Sequence, residues 1–397
     1  MKKNIKEIKI YEIDAGWRNW FYLEISAENG LKGYSEITES NGPKDSIPKI
    51  TFDLIKKIDL SDFSKINQIK RGLESFNKQG LGGTISKCSA AIINALIDLN
   101  SKNLDISVID YFGGPLRNEI STYWSHCGAT RIRTLEYLPE STKPLNNLED
   151  FSSLGKEVTD SGFKSLKTNL ISLDPIEVIM PSYTSQDTIG ISQLTKVMEE
   201  TSSIINSLKN NNSNEVMLDV GYNLTSSSLI ALSDNLNSLD IKWLEVDFEH
   251  LDNLDKFKEL LSMPICSGEN YTSYSKYVDL INSGVAEIIS IDPAWNSGID
   301  ILEISKYANL HNQEITLHNH YSNMNTFIAL SMATNIEKFS YVEVDVDDVP
   351  WKDELIELPK IENGKFLITN ETPGWGFEIN WDIANEKLKE THSADIS

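Results

Sequence analysis

The sequence is poor in cysteine. Only three of its 397 residues are cysteines, and they are widely separated, at Cys88, Cys127 and Cys266. An odd number of scattered cysteines argues against a disulfide framework and against a cysteine-based zinc cluster, and it suits a reducing compartment. We therefore expect ordinary thiols that are buried or partly buried.

Long apolar runs are also missing. No stretch of about 18 apolar residues is present, which argues against a transmembrane helix. The start, MKKNIKEIKIYEID, alternates like a strand and lacks the apolar core of a signal peptide. We expect a cytoplasmic protein that does not associate with a membrane.

Positive charge is scarce as well. The chain has 36 Lys and Arg against 59 Asp and Glu, and its formal net charge is -23. Nucleic acid would repel such a polyanion, so we expect no nucleic-acid partner. Negative charge favours solubility and, where it is concentrated, the binding of cations.

The length allows a barrel of about 250 residues together with a second unit. Residues 1–118 mix strand-like segments with helices and are predicted to form an α+β domain. The strand segments flank Asn29-Gly30, a hairpin turn signal, and the segment SKCSAAIINALIDLNSKN has the apolar spacing of a helix.

Residues 119–362 alternate short apolar strands with helical segments. The eight strand candidates are STYWSH, SLKTNLI, VMLDVG, KWLEVD, PICSGE, EIISID, EITLHNH and FSYVEVD. This alternation predicts an α/β fold, a parallel (β/α) barrel whose working end is formed by the carboxyl ends of its strands. Residues 363–397 carry turn and strand signals, and we expect them to return to the opening domain, which then caps the barrel.

Three consecutive strand candidates end in a carboxylate, at Asp219, Glu245 and Glu269. Each pair is separated by about one strand-helix unit, so the three side chains converge in a barrel. Converging carboxylates repel one another unless a cation neutralises them, and oxygen ligands with room for water favour Mg²⁺. The sequence therefore predicts a Mg²⁺ site.

The following strand ends carry Asp292, then His318 and His320, then Glu343. A carboxylate one strand away can fix the tautomer of a histidine and raise its basicity. Earlier in the chain, Lys167 and Asn169 in GFKSLKTN share one face of a strand. By itself this pair is a weak signal, since lysines commonly end strands.

Taken together, these segments make the chain resemble the mandelate racemase subgroup of the enolase superfamily over nearly its whole length. The resemblance rests on the order and spacing of GLKGYSE, AAIINALIDLNSKNLDISVIDYFGGPLRN, GFKSLKTN, LDVGYN, WLEVD, SGEN, IDPAWNSGID and PGWGFEI. It implies a capping domain over a barrel, one Mg²⁺, and abstraction of the proton alpha to a substrate carboxylate.

The resemblance also implies roles for single residues. Asp219, Glu245 and Glu269 correspond to the metal ligands. The base dyad corresponds to Asp292 and His318, and Glu343 to an acid that faces the enolate. Lys167 would lie against the substrate carboxylate. His318 is preferred over His320 because its distance to IALSMATN matches the family; His320 would then line the pocket.

Asn169 is a departure from the subgroup, which usually has a second lysine that acts as a base there. An amide cannot take up that proton, so a racemase with two bases is disfavoured. Some acid-sugar dehydratases of the superfamily have a histidine two residues after the first metal ligand, where this chain has Gly221. The muconate-lactonising subgroup has a lysine on the sixth strand, where this chain has Asp292. These departures favour beta elimination by a histidine, as in a hydro-lyase that dehydrates an aldonate or aldarate to a 2-keto-3-deoxy acid.

Residues outside this set are candidates for substrate binding. The segments AGWRNW and QGLGG correspond to two capping loops, and Trp17, Arg18 and Trp20 could cover an anionic substrate; a surface position for Arg18 is equally consistent with the sequence. In TYWSHCGATRIR, His126 and Arg131 are candidates for contacts with hydroxyl or carboxylate groups or for packing. Asn169 also belongs to the pocket.

Three alternatives remain open from the sequence. An aromatic capping loop suits a substrate with a less polar ring, such as an anhydro-sugar acid or a lactone. The enolate of such a substrate could expel the ring oxygen and open the ring, as in a cycloisomerase. An epimerase or racemase would use an enolate too. A sugar-acid binding barrel without activity is disfavoured, because a cluster of acids without a metal costs stability. The resemblance also implies a homo-oligomer.

Overall fold

A computed structural model of the chain describes residues 4–38, 44–77, 82–179, 190–209, 214–221, 226–247 and 254–395. Of the two predicted capping loops, residues 15–20 are described, whereas residues 79–81 lie outside the described ranges.

Along the chain the strands are β1 (Ile5–Asp14), β2 (Asn19–Ala27), β3 (Lys32–Glu36), β4 (Glu119–Trp124), β5 (Ser165–Asn169), β6 (Ile171–Leu173), β7 (Ile176–Val178), β8 (Glu215–Gly221), β9 (Leu244–Val246), β10 (Ile265–Ser267), β11 (Ile288–Ile291), β12 (Glu314–Leu317), β13 (Phe339–Val344), β14 (Ile361–Glu362), β15 (Lys365–Leu367) and β16 (Leu388–Asp395).

The α-helices are α1 (Ile47–Ile55), α2 (Ile66–Asn77), α3 (Thr84–Asn103), α4 (Val108–Tyr111), α5 (Ala129–Thr134), α6 (Leu148–Asp160), α7 (Ile191–Lys209), α8 (Ser226–Ala231), α9 (Ser233–Asn237), α10 (Leu254–Leu260), α11 (Tyr274–Ser283), α12 (Gly298–Leu310), α13 (Asn323–Ala333), α14 (Lys352–Leu355) and α15 (Trp381–Glu386).

Both ends of the chain build the capping sheet. It is antiparallel, with the order β16-β1-β2-β3, so the carboxyl-terminal strand pairs with the first strand. The predicted turn joins β2 to β3, where Gly30 has a φ of +87° and Asn29 Oδ1 accepts a hydrogen bond from the Leu31 amide at 3.1 Å. Both the return of the tail and this hairpin confirm the sequence predictions.

The capping sheet packs on α3, the helix predicted from its apolar spacing. At Gly33 the two backbones approach closely, since a Cβ atom there would lie 2.1 Å from the carbonyl oxygen of Ala95. Only glycine fits this contact without a shift of the helix.

The barrel is closed and consists of eight parallel strands. Their order is β4-β5-β8-β9-β10-β11-β12-β13, and β13 pairs with β4, where Val344 lies opposite Trp124. Each of the eight predicted segments supplies one of these strands. Together with the capping sheet, the closed barrel confirms the predicted fold class. The boundaries placed at residues 118 and 362 stay predictions.

A group of buried side chains fills the barrel beneath the carboxyl ends of its strands. It consists of Tyr123, Met217, Trp243, Cys266 and Ile288. The rings of Tyr123 and Trp243 meet edge to face, with centroids 5.8 Å apart. This packing forms a solid floor for side chains at the upper ends of the strands.

The capping domain is tied to the barrel by buried polar contacts. Glu36, at the end of β3, accepts hydrogen bonds from the Ser322 hydroxyl at 2.6 Å and from the amides of Ser322 and Asn325. These groups begin α13, whose amino terminus favours a negative charge. From α3, Asn94 donates to the Pro293 carbonyl at 2.9 Å. The loops after β11 and β12 are therefore held by the cap.

All three cysteines are buried, as expected. Within the described ranges, none of the helices combines the length and the apolarity needed to cross a membrane.

Replacement of Gly33 by alanine tests the close contact between β3 and α3. We expect Gly33→Ala to lower the free energy of unfolding by about 1–3 kcal/mol, because the added methyl group forces the strand away from the helix. Urea unfolding followed by circular dichroism measures this change. Gly190→Ala is the matched control, since no atom lies within 4 Å of its added Cβ. Equal stability of the two variants would contradict the contact.

Candidate active site

The register of the barrel strands brings the predicted polar residues to one level. Asn169 lies opposite Asp219 in the β5–β8 ladder, and Asp219 lies opposite Glu245 in the β8–β9 ladder. Glu269 follows β10, the next strand. Parallel pairing therefore places an amide and three carboxylates in sequence around the carboxyl end of the barrel.

Lys167 lies at the centre of this group and is fully buried. Its Nζ is 3.0 Å from Glu245 Oε2, 2.9 Å from Glu343 Oε1 and 4.0 Å from Asp219 Oδ2. Burial by itself lowers the pKa of a lysine, yet the facing carboxylates hold the pKa of Lys167 well above its ordinary value. The residue is therefore a fixed positive charge that adjoins two of the three predicted metal ligands.

One ammonium group does not satisfy all of these acids. Glu245 Oε1, Glu269 Oε2 and Asn169 Oδ1 are buried without a hydrogen-bond partner. Burial and the neighbouring charge of Glu245 raise the pKa of Asp219 to about 6, although Lys167 opposes the shift, and the pKa of Glu269 is also raised, by burial and by Glu245. Unpaired buried oxygens with uncompensated charge fit a divalent cation with oxygen ligands.

The carboxylate of Asp247, two residues after Glu245, differs from it because both of its oxygens accept hydrogen bonds. Asp247 Oδ1 accepts a hydrogen bond from the Gly268 amide at 2.8 Å, and its Oδ2 accepts one from Asn270 Nδ2 at 2.5 Å. Its oxygens are thus used within the protein, which leaves Glu245 as the carboxylate at this strand end that a cation would bind.

The described residues contain two other groups of three potential metal ligands whose atoms lie within 4.8 Å of one another. They are His126 with His320 and Asp345, and Glu12 with Glu390 and His392. The three strand-end carboxylates are not one of these groups. Instead, Lys167 lies against two of them.

Asp292 and His318 form the predicted dyad. His318 Nδ1 lies 2.9 Å from Asp292 Oδ2, and the other Asp292 oxygen accepts from the Ala294 amide at 2.7 Å. Tyr321 also donates to Asp292 Oδ2. Because Asp292 accepts at Nδ1, the opposite nitrogen, Nε2, is turned toward Glu269 and Glu343, at 3.6 and 3.8 Å.

The pKa of His318 reflects these carboxylates. Burial alone would lower it, but Glu269, Glu343 and Asp292 together raise the pKa of His318 to about 10. A cation bound at Glu269 would oppose that rise, because it would neutralise the carboxylate that faces Nε2.

Glu343 is fully buried and lies between Lys167 and His318. Its Oε1 accepts a hydrogen bond from the Ser125 hydroxyl, and its Oε2 accepts one from the Asn319 amide at 3.2 Å. Burial opposes ionisation, yet Lys167 and His318 lower the pKa of Glu343 below its ordinary value. Glu343 is therefore a carboxylate in this state. Its role as a hydrogen-bond donor to an enolate stays a prediction that requires a proton on this group.

Asn169 is directed at the predicted metal ligands. Its Nδ2 donates to Asp219 Oδ2 at 3.1 Å, and the side chain is buried. The amide thus orients one ligand, while its unpartnered oxygen remains available.

His126 and His320 lie beside each other, with ring centroids 4.5 Å apart. His126 contacts Ser125 Oγ through Nδ1 at 2.7 Å, and its Nε2 lies 3.8 Å from Asp219 Oδ2. His126 therefore adjoins the predicted metal ligand Asp219, and His320 packs against His126.

Trp17 and Arg18 reach the site from the capping loop. The Trp17 ring lies 5.6 Å from the ring of His320. Arg18 donates to the His320 carbonyl at 2.6 Å, to Asp345 at 2.8 Å and to Asp348. Two carboxylates already neutralise Arg18, so the structure favours a structural role for this charge over the predicted contact with a substrate anion.

Trp20 and Arg131 are placed away from this cluster. Trp20 is fully buried in β2 and packs against Trp351, with ring centroids 5.3 Å apart. Arg131 forms ion pairs with Asp347 at 2.8 Å and with Glu157 at 2.9 Å. Packing accounts for the position of Trp20, and the two ion pairs account for the position of Arg131.

Several residues of the site were not predicted as functional. Ser125 and Asn319 bond to Glu343, Tyr321 bonds to Asp292, and the Trp295 ring lies 6.4 Å from His318. Each is within a few residues of a predicted site residue, which is the only signal the sequence offered. Asp345 was also not predicted, although it lies two residues after Glu343 in the strand segment FSYVEVD and could have been found there.

Comparison with known proteins gives the family. Residues 151–383 match the family model described as Enolase C-terminal domain-like. Two curated relatives align over nearly the full chain. A D-gluconate/D-galactonate dehydratase of Picrophilus torridus is 22% identical over 98% of this chain and 94% of its own length. A D-xylonate dehydratase of Haloferax volcanii is 21% identical over 97% of this chain and 89% of its own.

Solved structures share the fold. A protein of Burkholderia xenovorans, described as an L-alanine-DL-glutamate epimerase and bound to magnesium and fumarate, superimposes with a TM-score of 0.90 at 23% identity, over 97% of this chain and 96% of that one. A protein of Salmonella enterica serovar Typhimurium, described as a dehydratase, gives a TM-score of 0.83 at 20% identity, over 98% and 99% of the two chains.

Removal of the Arg18 charge tests its assignment to a buried ion pair. We expect Arg18→Met to destabilise the protein by about 3–5 kcal/mol, since Asp345 and Asp348 would remain buried without their partner. Arg71→Met, at an exposed position of α2, is the matched control and should change the stability little. Chemical unfolding measures both. A stability loss no greater than that of the control would contradict the ion-pair role.

Proposed function

Because the chain belongs to the enolase superfamily, within its mandelate racemase and muconate lactonizing group, we propose that it is a Mg²⁺-dependent acid-sugar dehydratase. This membership confirms the resemblance predicted from the sequence. The proposed reaction removes the proton alpha to the carboxylate of an aldonate or aldarate and expels the beta hydroxyl, giving a 2-keto-3-deoxy acid and water.

One observation carries the proposal. The imidazole of His318 is hydrogen-bonded to the buried carboxylate of Asp292 and faces Glu269 and Glu343, whereas the strand that carries a second lysine base in racemases carries Asn169. An amide does not take up a proton at neutral pH, so this strand supplies no base opposite His318. One base on one face of an enolate supports elimination better than it supports inversion.

The residues that would hold the metal are Asp219, Glu245 and Glu269. Glu245 and Glu269 each have a buried oxygen without a hydrogen-bond partner, and the pKa values of Asp219 and Glu269 are raised, which fits a divalent cation. When bound, Mg²⁺ supplies positive charge that stabilises the negative charge of the enolate. Asn169 Nδ2 orients Asp219, and its free oxygen faces the same region.

The chain's own residues perform the remaining functions. Lys167 is a buried ammonium group placed to bind a substrate carboxylate, which would replace one of its present carboxylate contacts. Asp292 holds the proton on His318 Nδ1, so that Nε2 accepts the alpha proton. The Ser125 hydroxyl and the Asn319 amide fix the orientation of Glu343. Trp17 of the capping loop packs beside His320, with ring centroids 5.6 Å apart.

The names of the two curated relatives support dehydration of a monocarboxylic sugar acid, because both act on aldonates according to those names. The epimerase name of one structural neighbour keeps the isomerase alternative in view, but at 23% identity that likeness concerns the fold. We propose the cytoplasm as location and a homo-oligomer as assembly state; neither is tested by the fold.

A substrate screen tests the reaction. With Mg²⁺ and a library of aldonic, aldaric and anhydro-aldonic acids, we expect a 2-keto acid that reacts with semicarbazide. His318→Asn should lower the rate about a thousandfold or more, since it removes the base. His311→Asn, at an exposed histidine, is the control and should retain activity. Full activity of His318→Asn would contradict the proposal, and a product that keeps all its oxygen would indicate cycloisomerisation or epimerisation.

Calorimetric titration with Mg²⁺ tests the ligands. Glu245→Gln should weaken Mg²⁺ binding by about tenfold or more, because it removes a charged ligand oxygen. Glu390→Gln removes an acid of the group formed by Glu12, Glu390 and His392 in the capping sheet, and should leave the affinity unchanged. An unchanged affinity of Glu245→Gln would show that the cation binds elsewhere.

A further inference from the structure

The site contains a second aspartate-histidine pair. His320 Nδ1 lies 3.2 Å from Asp345 Oδ2, within ion-pair distance but without the geometry of a hydrogen bond, whereas His318 Nδ1 is hydrogen-bonded to Asp292 Oδ2 at 2.9 Å. Both aspartates are buried. In both pairs a carboxylate lies beside Nδ1, which leaves Nε2 as the nitrogen that can exchange a proton with a ligand.

The two pairs face different parts of the site. His318 Nε2 lies within 3.6 and 3.8 Å of Glu269 and Glu343, next to the predicted metal ligands. The His320 ring instead lies between His126 and Trp17 of the capping loop, at centroid distances of 4.5 and 5.6 Å. A substrate held by its carboxylate at the metal ligands and Lys167 therefore extends from the first pair toward the second.

His126 is nearer to the carboxylates but is not suited to donate a proton. The Ser125 hydroxyl has one hydrogen and donates it to Glu343, so its oxygen accepts from His126 Nδ1. Burial, reinforced by His320 and Lys167, holds the pKa of His126 well below its ordinary value. His126 is thus a neutral imidazole whose Nε2 accepts hydrogen bonds.

His320 has a closer counter-ion than His126, whose ring nitrogens lie 3.8 Å from Asp219 and 4.0 Å from Glu343. Although burial opposes ionisation, His320 and Arg18 hold the pKa of Asp345 well below its usual range, so Asp345 is ionised. An ionised carboxylate at Nδ1 stabilises an imidazolium. Burial lowers the pKa of His320 and Asp345 opposes that shift, so the carboxylate at 3.2 Å is the group that favours a proton on this imidazole.

We propose that His320, held by Asp345, is a second catalytic histidine, which protonates the beta hydroxyl as it leaves. This inference rests on the proposed dehydration. His318 takes the C2 proton, and the C3–O bond breaks as His320 Nε2 gives its proton to that oxygen, releasing water. The electrons of the former C2–H bond form the C2–C3 double bond of an enol. His318 then returns its proton to C3, and His320 regains one from the enol hydroxyl.

In this account Arg18 is a positioning residue. It bonds to the His320 carbonyl and to Asp345, so both members of the second pair are held by the capping loop. The assignment explains why a buried arginine of the cap is directed at the eighth barrel strand.

The test separates proton abstraction from leaving-group departure. The full-length protein with Mg²⁺ is given an aldonate that it dehydrates and the 3-fluoro-3-deoxy analogue of that acid, in deuterium oxide. Proton NMR measures exchange at C2, and semicarbazide measures the keto product. Fluoride leaves without a proton, so the analogue does not need the acid.

We expect His320→Asn to lower dehydration of the hydroxy acid about a hundredfold or more, to retain C2 exchange within about tenfold, and to process the fluoro analogue at close to the wild-type rate. His318→Asn should lose all three activities. Asp345→Asn, which keeps the imidazole, should show the same split as His320→Asn and provides a second variant if that one does not fold.

Parallel loss of exchange, dehydration and fluoride release in both His320→Asn and Asp345→Asn would overturn the assignment, as would full dehydration by His320→Asn. A wild-type protein that neither exchanges the C2 proton nor forms a keto acid from any acid tested would contradict the proposed function itself, and this inference with it.

Discussion

The site depends on one constraint, which is that a single buried ammonium group faces more carboxylates than it can neutralise. Lys167 is in contact with Glu245 and Glu343 and lies near Asp219, while Glu269 lies beyond its reach on the next strand. Burying these carboxylates costs desolvation free energy, and the stability of the barrel, which fixes them on adjacent strand ends, offsets that cost. The residual negative charge supports the proposed binding of a cation at this site.

The capping domain completes the arrangement from the other side. Glu36 holds the start of α13, and Arg18 holds the carboxylates after β13. These contacts bracket the loop that carries both His318 and His320. The two histidines proposed to transfer protons are thus held between the barrel and the cap, so a shift of the cap would change the geometry of the proposed reaction.

Much of this could be predicted from the sequence because parallel strands with a buried environment leave a strong pattern. The eight apolar segments and the carboxylates at their ends gave the barrel and the level of the site, even though β9 and β10 are only three residues long. The Asp292–His318 pair followed from placing two groups on adjacent strands. Asn29-Gly30 gave its hairpin because glycine accepts a positive φ at that turn.

The partners of charged residues could not be predicted in the same way. Arg18 and Asp345 are 327 residues apart, and no periodicity relates a capping loop to the eighth strand. Trp20 looked like a loop residue but belongs to β2 and is buried, where it packs against Trp351. Such pairings are set by how the two domains meet, which local pattern does not encode.

The account is tested most directly by a crystal structure of the protein with Mg²⁺ and a 3-deoxy aldonate, which lacks the leaving hydroxyl. We predict an ion about 2.1 Å from oxygens of Asp219, Glu245 and Glu269, with the substrate carboxylate against Lys167 and C2 facing His318 Nε2. An ion bound instead by His126, His320 and Asp345, with the strand-end carboxylates still paired to Lys167, would contradict it.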